Sequence, residues 1–401
     1  MKKLRKIAIY GGSFNPIHNA HISIAQAFVK KLKPDKLLLI PTNIPPHKSS
    51  ENMAQNRERL EMCQLAAKQI KKAEVCSIEL EREGKSYTVD TLRQLSEIYP
   101  DSEFYLIMGE DMFVSLLDWR QPEELFKLAV ICTVARGGGD VTLLYEMDEK
   151  YKAMGAETIV LDMKKSDISS TQIRAAVYND KSISKYVCED VERYIYAHYL
   201  YMNKEQINYP WLHKVLKARM GEKRYQHSCN VSDEAVRLAG LYGADKDKAK
   251  LAGLLHDITK ETPHEDQLDI MKRYSVPLDD LVLSSPKLWH AMSGAAFVKN
   301  VIGVADEDIC NAIRYHTSGR AGMSLLEKCI FIADFTSAER NYSGVEKMRE
   351  LADKSLESAM IYGLSFSIAE LAEKNTAIDP NAVACYNEVV LNNRRGDVAR
   401  I

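Results

Sequence analysis

The chain has 401 residues, of which 46% are hydrophobic and 27% charged, with 54 Lys and Arg against 56 Asp and Glu. This composition is typical of a globular protein, and the length suggests two or three domains. The formal net charge of −2 argues against nucleic acid or an anionic membrane as a partner, because both favour a basic excess. We therefore expect neither partner.

The amino terminus and the cysteines predict a cytoplasmic protein. The apolar stretch behind the basic start ends at Gly11 and Gly12, too early for a secretory signal. The eight cysteines are scattered and contain no Cys-x-x-Cys pair, which fits neither a disulfide framework nor a cysteine zinc site. No apolar run reaches the roughly 18 residues that a transmembrane helix needs.

The first 200 residues or so alternate strand-like and helix-like segments. Apolar runs predict strands at 6–10, 36–40, 75–80, 104–108, 129–135 and 158–161. Amphipathic spacing predicts helices at 21–32, 56–71 and 88–99. Such alternation is typical of an α/β fold with a doubly wound, Rossmann-like parallel sheet, whose ligands bind at the carboxyl ends of the strands.

From about residue 209 onward the apolar periodicity is helical throughout. It predicts helices at 231–241, 247–255, 265–274, 289–301, 306–316, 324–339, 353–374 and 382–394. We therefore predict an α/β domain over residues 1–203 and an all-α domain over 209–401, with the linker near 202–209.

The most informative segment of the first domain runs from Gly11 to His21, between a predicted strand and a predicted helix. Glycines let the backbone approach an anion, and a helix N-terminus attracts phosphate. His18 and His21 share one helix face and could donate hydrogen bonds to phosphoryl oxygens. Two surface histidines beside a turn would have the same spacing, so the pair alone does not establish a site.

A second phosphate-type element begins at Ser169. Ser and Thr at a helix start cap free N–H groups, and Arg174 lies one turn after Thr171, where it can reach the same anion. An ordinary helix cap followed by a surface arginine is the alternative. A single element of this kind is common, but two of them at opposite ends of one α/β domain are much less common.

Together these segments resemble the G-x-F-x-P-x-H-x-x-H and I-S-S-T-x-I-R motifs of the nucleotidylyltransferase superfamily, and more closely those of bacterial nicotinate-nucleotide adenylyltransferases. Ala20 stands where the family has Gly, and Asn15 where it often has Asp. Three further stretches match this branch: PTNIPPHK at 41–48, SYTVDTL at 86–92, and GED at 109–111 followed by LDWR at 117–120.

The resemblance implies adenylyl transfer from ATP, with Mg²⁺, to nicotinate mononucleotide, a step of NAD biosynthesis that yields nicotinate adenine dinucleotide and pyrophosphate. The amidated mononucleotide stays open as a second substrate. The implied catalytic residues are His18, His21, Lys48 and Arg174. The implied substrate-binding residues are Gly11, Gly12, Ser13, Phe14, Thr88, Gly109, Asp111, Trp119, Arg136, Ser169, Ser170 and Thr171. Trp119 could stack on the pyridine ring, although a lone tryptophan is more often a core or rim residue.

The histidines of the second domain predict a metal site. Four lie in helix-like segments: His227, His256, His290 and His316. Asp257 directly follows His256, and Asp334 lies inside an apolar helix, where an unpaired carboxylate would be costly. Imidazole and carboxylate ligands together suit Fe, Mn or Zn.

This domain resembles HD-domain phosphohydrolases, whose H…HD…D pattern matches His227, His256-Asp257 and Asp334. It is most similar to the branch that cleaves diadenosine tetraphosphate symmetrically into two ADP. In that branch two more histidines, here His290 and His316, complete a two-metal site. The resemblance therefore implies Fe or Mn as metals, Asp257 as the bridging carboxylate and Lys260 as a phosphate contact.

Three questions stay open at the level of sequence. The HD half could cleave another nucleotide, such as a cyclic or guanine alarmone. It could instead be a nucleotide-binding module that regulates the first half without catalysis. Lys260 could be a solvated lysine at a helix end, and the chain could form a homo-oligomer.

Overall fold

The computed structural model describes residues 5–43, 53–137, 141–164, 166–205 and 207–398. Lys48 therefore lies outside the described residues, and for Arg136 only the backbone is described. The chain divides into two compact units. The first comprises Met1–Tyr196 with Leu200–Asn203, and the second Ala197–Tyr199 with Lys204–Ile401.

The first unit contains a six-stranded sheet in which all described pairings are parallel. The strands are β1 Arg5–Gly12, β2 Lys36–Pro41, β3 Ala73–Val75, β4 Ser102–Ile107, β5 Val130–Gly137 and β6 Thr158–Lys164. Their order is β3-β2-β1-β4-β5-β6. The direction of winding changes between β1 and β4, the point at which doubly wound sheets bind ligands. The predicted α/β class is confirmed.

Helices accompany the strands in chain order. They are α1 Asn19–Leu32, α2 Asn56–Ala67, α3 Thr88–Ile98, α4 Glu110–Val114, α5 Pro122–Leu128, α6 Thr142–Ala153, α7 Ser170–Tyr178 and α8 Glu189–Ala197. The central strands are buried on both faces, and Ile7, Ile9, Leu38 and Leu106 belong to one hydrophobic cluster. This burial explains why the strands appear in the sequence as continuous apolar runs.

The strand predicted at 75–80 is wrong. The third strand spans Ala73–Val75, and the chain then turns, with the Leu80 N–H donating to the Ser77 carbonyl at 2.7 Å. Most of the predicted strand thus forms a turn, in which Glu79 is buried and accepts a hydrogen bond from Thr91 at 2.8 Å.

The described part of the second unit is helical, which confirms the predicted all-α class. Its helices are α9 Tyr209–Arg219, α10 Glu222–Tyr242, α11 Lys246–Leu255, α12 His264–Arg273, α13 Asp280–Ser284, α14 Trp289–Phe297, α15 Glu307–Arg314, α16 Leu325–Thr336, α17 Val345–Lys354, α18 Leu356–Glu373 and α19 Pro380–Val398. The core forms where α10 packs on α11 and α16. None of the described helices has both the length and the apolar character that crossing a bilayer requires.

Several helix boundaries in this unit differ from the prediction. Helix α10 begins at Glu222 rather than at 231, so it carries His227 on its first half. The helix predicted at 353–374 is divided at Ser355, whose hydroxyl accepts from the Ser358 N–H and starts α18. A serine cap of this kind ends one helix and begins the next without any loop composition to mark it.

Candidate functional sites

The loop after β1 places two histidines at the start of α1. His18 is the N-cap residue, and its backbone N–H donates to Nδ1 of His21 at 3.2 Å. The two imidazoles stack with their centroids 3.6 Å apart, and the Phe14 ring meets His21 edge-on at 5.1 Å. With Nδ1 of His21 used as an acceptor, the proton of its neutral ring lies on Nε2.

Helix α7 brings the second predicted motif against this loop. The Ser170 hydroxyl donates to the Pro16 carbonyl at 2.9 Å, and Arg174 Nη1 donates to the Asn15 carbonyl at 2.8 Å. The other guanidinium nitrogen, Nη2, donates to Thr171 Oγ1 at 3.3 Å. The Ser169 hydroxyl caps α7. Two segments that are far apart in sequence therefore form one continuous structure.

Arg59 on α2 also holds the loop after β1 by hydrogen bonds. Sequence analysis did not identify this residue. The residue is fully buried, and its guanidinium donates to the carbonyls of Ser13 at 2.8 Å, Ala54 at 3.2 Å and Asn43 at 3.3 Å. It also donates to Asn56 Oδ1 at 2.6 Å. Burial lowers the pKa of Arg59 from its usual value. An arginine on a helix is usually solvated, so no local pattern marks this role.

A cavity of about 530 Å³ opens at the carboxyl ends of β1, β2 and β4, beside the start of α3. Its wall includes several of the predicted substrate-binding residues: Gly11, Gly12, Ser13, His21, Thr88, Gly109 and Trp119. Trp119 also packs against the hydrophobic cluster under the sheet, so it is a rim residue with one face toward the cavity. The position agrees with the change in winding direction between β1 and β4.

The remaining predicted residues of this half lie around the cavity. Phe14 is buried behind His21, and the α7 residues lie against the loop after β1. Asp111 is exposed on α4 and stands outside the described cavity wall. The structure therefore does not place Asp111 in the cavity wall, although its motif predicts a substrate contact.

The cavity wall also contains polar residues that sequence analysis did not assign to the site. Glu79 is buried there, and its burial raises the pKa of the carboxyl. Arg120 lies over the Tyr87 ring, 4.8 Å from its centroid, and within 3.6 Å of Asp90. Both side chains therefore contribute charged groups to the cavity wall.

The second site is built around Asp257, in the turn after α11. Its Oδ2 lies 3.5 Å from His256 Nε2 and 3.7 Å from His227 Nε2. His227 Nε2 is also 3.3 Å from His256 Nε2 and 3.1 Å from Asp334 Oδ1. These four side chains come from α10, the α11 turn and α16, and they surround one point.

The other carboxylate oxygen of Asp257 faces a second group. Oδ1 lies 3.4 Å from His290 Nε2 and 3.6 Å from His316 Nε2, and these two nitrogens are 3.3 Å apart. Among the described residues Oδ1 is buried and has no hydrogen-bond partner. Leaving a carboxylate oxygen in this condition is costly unless a cation compensates it.

The histidine rings are oriented with Nε2 toward the two positions beside Oδ2 and Oδ1 of Asp257. His256 Nδ1 lies 2.7 Å from the Gly253 carbonyl, and His316 Nδ1 lies 2.7 Å from the Ile313 carbonyl. A carbonyl can only accept, so both rings are protonated at Nδ1 and offer the Nε2 lone pair. His227 differs, because its Nδ1 hydrogen-bonds to the carboxylate of Glu339.

Glu339 is itself fixed by two further groups. The Ser337 hydroxyl donates to Oε1 at 2.8 Å, and the Asn230 amide donates to Oε2. Although partial burial opposes ionisation of Glu339, its hydrogen bonds with His227 and Asn230 lower its pKa. The sequence analysis did not assign Glu339 to the site. Glu339 belongs to no recognisable motif, and it reaches His227 on α10 only through the turn after α16.

Three cations stand close to the carboxylates. Arg224 Nη1 donates to Asp257 Oδ2 at 2.8 Å, and Arg340 donates to both the backbone carbonyl and the carboxylate of Asp334. Lys260 Nζ lies 3.1 Å from His290 Nε2. The sequence predicts a phosphate contact for Lys260 and, with less support, for Arg340, whereas the role of Arg224 was not predicted.

The ionisation of the site favours metal ligation. Burial raises the pKa of Asp257, but the neighbouring His256 and His316 outweigh it and hold the pKa well below its usual range. Burial, together with the nearby His316, lowers the pKa of His290 to about 3. A carboxylate and a neutral imidazole are the forms that bind metal.

The donor set fits divalent transition-metal ions. Donors bound to one such ion at about 2.1 Å lie roughly 3 to 3.5 Å from one another. The donor distances above are close to this, from 3.1 to 3.7 Å. The candidate ligands form overlapping groups of three, and Asp257 belongs to a group on each side. All six predicted ligands are therefore brought together: His227, His256, Asp257, His290, His316 and Asp334.

Comparison with protein families gives two matches that follow the two units. Residues 9–176 match the cytidylyltransferase-like family, and residues 224–339 match the HD domain. An HD domain implies that the Asp257 cluster binds divalent metal.

Individual relatives divide in the same way. A protein of Fusobacterium nucleatum named "Probable nicotinate-nucleotide adenylyltransferase" is 42% identical over 196 residues, which are 49% of this chain and 99% of that protein. The "Bis(5'-nucleosyl)-tetraphosphatase, symmetrical" of Bacillus subtilis is 41% identical over 175 residues, 44% of this chain and 94% of that protein.

A third relative spans both units. The Mycoplasma genitalium protein named "Probable nicotinate-nucleotide adenylyltransferase/Ap4A hydrolase" is 29% identical over 371 residues, 90% of this chain and 97% of that protein. The joined arrangement of the two units thus also occurs in that relative. The chain belongs to the nicotinate-nucleotide adenylyltransferase family in its first half and to the symmetrical bis(5'-nucleosyl)-tetraphosphatase family of HD domains in its second half.

Proposed function

We propose that the chain is a bifunctional enzyme that adenylylates nicotinate mononucleotide through residues 1–203 and hydrolyses diadenosine tetraphosphate through residues 209–401. The observation that carries this proposal is that each unit contains its own set of phosphate-directed groups, made entirely of residues from that unit. The names of the relatives supply the substrates, and the two sites supply the chemistry.

In the transferase half, a phosphate oxygen of nicotinate mononucleotide attacks the α-phosphorus of ATP. The bond from that phosphorus to the bridging oxygen breaks, and pyrophosphate leaves. Neutralising the charge on ATP is the chemistry that Mg²⁺ supplies when it is bound with the nucleotide. The glycine loop and the start of α1 bind the phosphates, while His18 and His21 donate hydrogen bonds to the phosphoryl oxygens.

The cavity of about 530 Å³ holds the pyridine nucleotide. Trp119 offers a flat face to the ring at the cavity rim. The start of α3 at Thr88 directs N–H groups toward the cavity and favours a negative group there. This arrangement favours the carboxylate of nicotinate over the neutral amide of nicotinamide.

In the hydrolase half, the water oxygen bonds to the second phosphorus of the tetraphosphate chain, and the oxygen bridging the second and third phosphorus atoms leaves. One water consumed and two ADP formed balance this reaction. A pair of cations, which we assign as Fe or Mn, activates water and neutralises phosphoryl charge when bound. Asp257 lies between the two positions, and Arg224, Lys260 and Arg340 are placed to contact the flanking phosphates.

The test is to identify the products of the purified full-length chain by chromatography in three separate incubations. These contain nicotinate mononucleotide with ATP, nicotinamide mononucleotide with ATP, and diadenosine tetraphosphate alone, with Mg²⁺ and Mn²⁺ present. We expect nicotinate adenine dinucleotide in the first, much less dinucleotide in the second, and ADP as the only product in the third. Nucleotide binding without turnover in the third would make the HD half a regulatory module and reject the proposed hydrolase.

A further inference from the structure

The two halves of the Asp257 cluster differ in what surrounds their ligand nitrogens. On the Oδ2 side, four protein groups converge, and the anionic Glu339 supports His227. On the Oδ1 side, the ligand groups found near Asp257 in the described part of the chain are His290 and His316. A cation at the first position therefore has more protein ligands, and it has a negative charge behind one of them.

A positive charge faces the second position instead. Lys260 Nζ lies 3.1 Å from Nε2 of His290 and 3.4 Å from its Nδ1, while Thr317 Oγ1 is 3.3 Å from the same Nε2. Nε2 is the nitrogen that points at Oδ1 of Asp257, so it is the atom that a cation would use. Because Nζ is nearly equidistant from the two ring nitrogens, the ammonium group lies beside the imidazole, and its charge repels a divalent cation at Nε2 at such short range.

Lys260 has freedom to leave this contact. The residue is solvent-exposed, in contrast to its buried neighbours His256, Asp257 and Thr259. A polyphosphate chain at the site would offer the ammonium group several anionic oxygens within reach of the same turn. Moving Lys260 from His290 to phosphate would take a positive charge away from the ligand nitrogen and bring a negative charge beside the second position.

We propose that the second cation and the polyphosphate substrate bind together, with Lys260 as the group that couples them. This inference rests on the proposed hydrolase function. It adds that the first cation stays bound in the absence of substrate, whereas the second binds tightly only when phosphate is bound. Thermodynamic linkage requires the converse as well, so the second cation tightens phosphate binding by the same factor.

The experiment measures Mn²⁺ bound per full-length chain at a fixed free Mn²⁺ concentration, with and without ADP as the phosphate probe. Equilibrium dialysis gives the number of ions. Electron paramagnetic resonance separates an isolated ion from a pair that shares the Asp257 carboxylate, because the two spins of a pair interact. ADP can also carry Mn²⁺ to other nucleotide sites of the chain. The Mn²⁺ bound by the Asp257→Asn variant in the presence of ADP measures this background and is subtracted from each count.

For the wild-type chain we expect one tightly bound Mn²⁺ without ADP, and a coupled pair with ADP. Lys260→Met should hold the pair without ADP, with the second ion bound at least tenfold more tightly than in the wild type. Lys260→Arg keeps the positive charge and should retain the dependence on ADP. Lys272→Met, which removes an exposed lysine of α12, is the matched control and should behave as wild type.

Two tightly bound ions in the wild-type chain without ADP would overturn the proposal, and so would a Lys260→Met chain that still needs ADP for the second ion. Thermal unfolding of each variant shows that the comparison is made on folded protein. The Mn²⁺ count does not depend on turnover. A chain that shows the coupling but releases no ADP from diadenosine tetraphosphate would therefore retain this inference while rejecting the hydrolase function.

Discussion

The proposed site of the first half offers mainly backbone and cationic groups to phosphate, whereas the proposed site of the second half is rich in carboxylates. The charged or ionisable groups described around the loop after β1 include His18, His21, Arg59 and Arg174. Around Asp257 there are two further carboxylates, those of Asp334 and Glu339, among four histidines. The first arrangement suits a nucleotide that arrives with its own Mg²⁺, and the second suits cations that the protein itself must hold.

The two sites also differ in how they are assembled. Most of the first lies on loops at one edge of a sheet, where a short segment can place several backbone groups. The second is made of side chains from five helices or the turns after them, and most of these side chains are buried in the helical core. A change in the first half should therefore be local, whereas a change in the second should affect both the metal and the packing around it.

The strongest expected effect is that of His18→Ala on the transferase. Removing one hydrogen-bond donor to the transferring phosphoryl group should lower nicotinate adenine dinucleotide formation by about a hundredfold or more. Steady-state kinetics measure this loss, and hydrolysis of diadenosine tetraphosphate in the same preparation is the control. A transferase rate within twofold of wild type would remove His18 from the reaction.

Arg59→Met tests whether the first site depends on its buried support. The change leaves the carbonyls of Ser13, Asn43 and Ala54 without this donor and should destabilise the first unit by about 3 kcal/mol. The measurement is the residual activity of each half after heating to graded temperatures. Transferase activity should be lost at a lower temperature, and hydrolase activity should follow the wild type.

Arg57→Met is the matched control for that experiment, because Arg57 lies on the same helix but is more than half exposed and pairs with Glu61. It should leave both inactivation curves nearly unchanged. Equal losses from the two variants would mean that the buried hydrogen bonds of Arg59 do not support the site.

Glu339→Gln tests whether a carboxylate behind His227 strengthens the metal site. The amide has nearly the same size but lacks the charge that orients the ring and increases its basicity, so metal affinity should fall ten- to a hundredfold. Competition with a chelator of known affinity measures the change. Glu346→Gln, at a side chain that is 81% exposed, should leave the affinity unchanged.

Trp119→Ala should have the smallest effect, confined to one substrate. Loss of a stacking face is worth about 1 kcal/mol, so KM for nicotinate mononucleotide should rise roughly three- to tenfold while KM for ATP stays nearly constant. Equal rises for both substrates would show that Trp119 acts through the hydrophobic cluster beneath it.

Sequence patterns predicted the parts of the molecule that are local. The strand–helix alternation, the His18–His21 spacing and the adjacent His256-Asp257 pair are all contained within short segments, whose chemistry does not depend on distant residues. The family resemblance, and not a local pattern, placed His227 and Asp334 in the same ligand set.

The parts that could not be predicted depend on contacts between distant segments. Glu339 reaches His227 only because the turn after α16 ends beside α10, and nothing in its neighbours indicates that contact. Arg59 resembles a solvated helix residue until the loops around it are placed. The strand predicted at 75–80 is wrong because the chain turns after Val75 and buries Glu79 against Thr91, a contact that the segment itself does not indicate.

The central claim is that one chain carries two independent reactions, and Asp257→Asn tests it most directly. The substitution keeps the size of the side chain but removes the charge that both metal positions share. Hydrolysis of diadenosine tetraphosphate, formation of nicotinate adenine dinucleotide and bound metal are measured on one preparation of folded protein. We predict that hydrolysis is abolished and metal content falls, while adenylyl transfer continues at the wild-type rate. Loss of both reactions would contradict independence, and continued hydrolysis would contradict the role of Asp257.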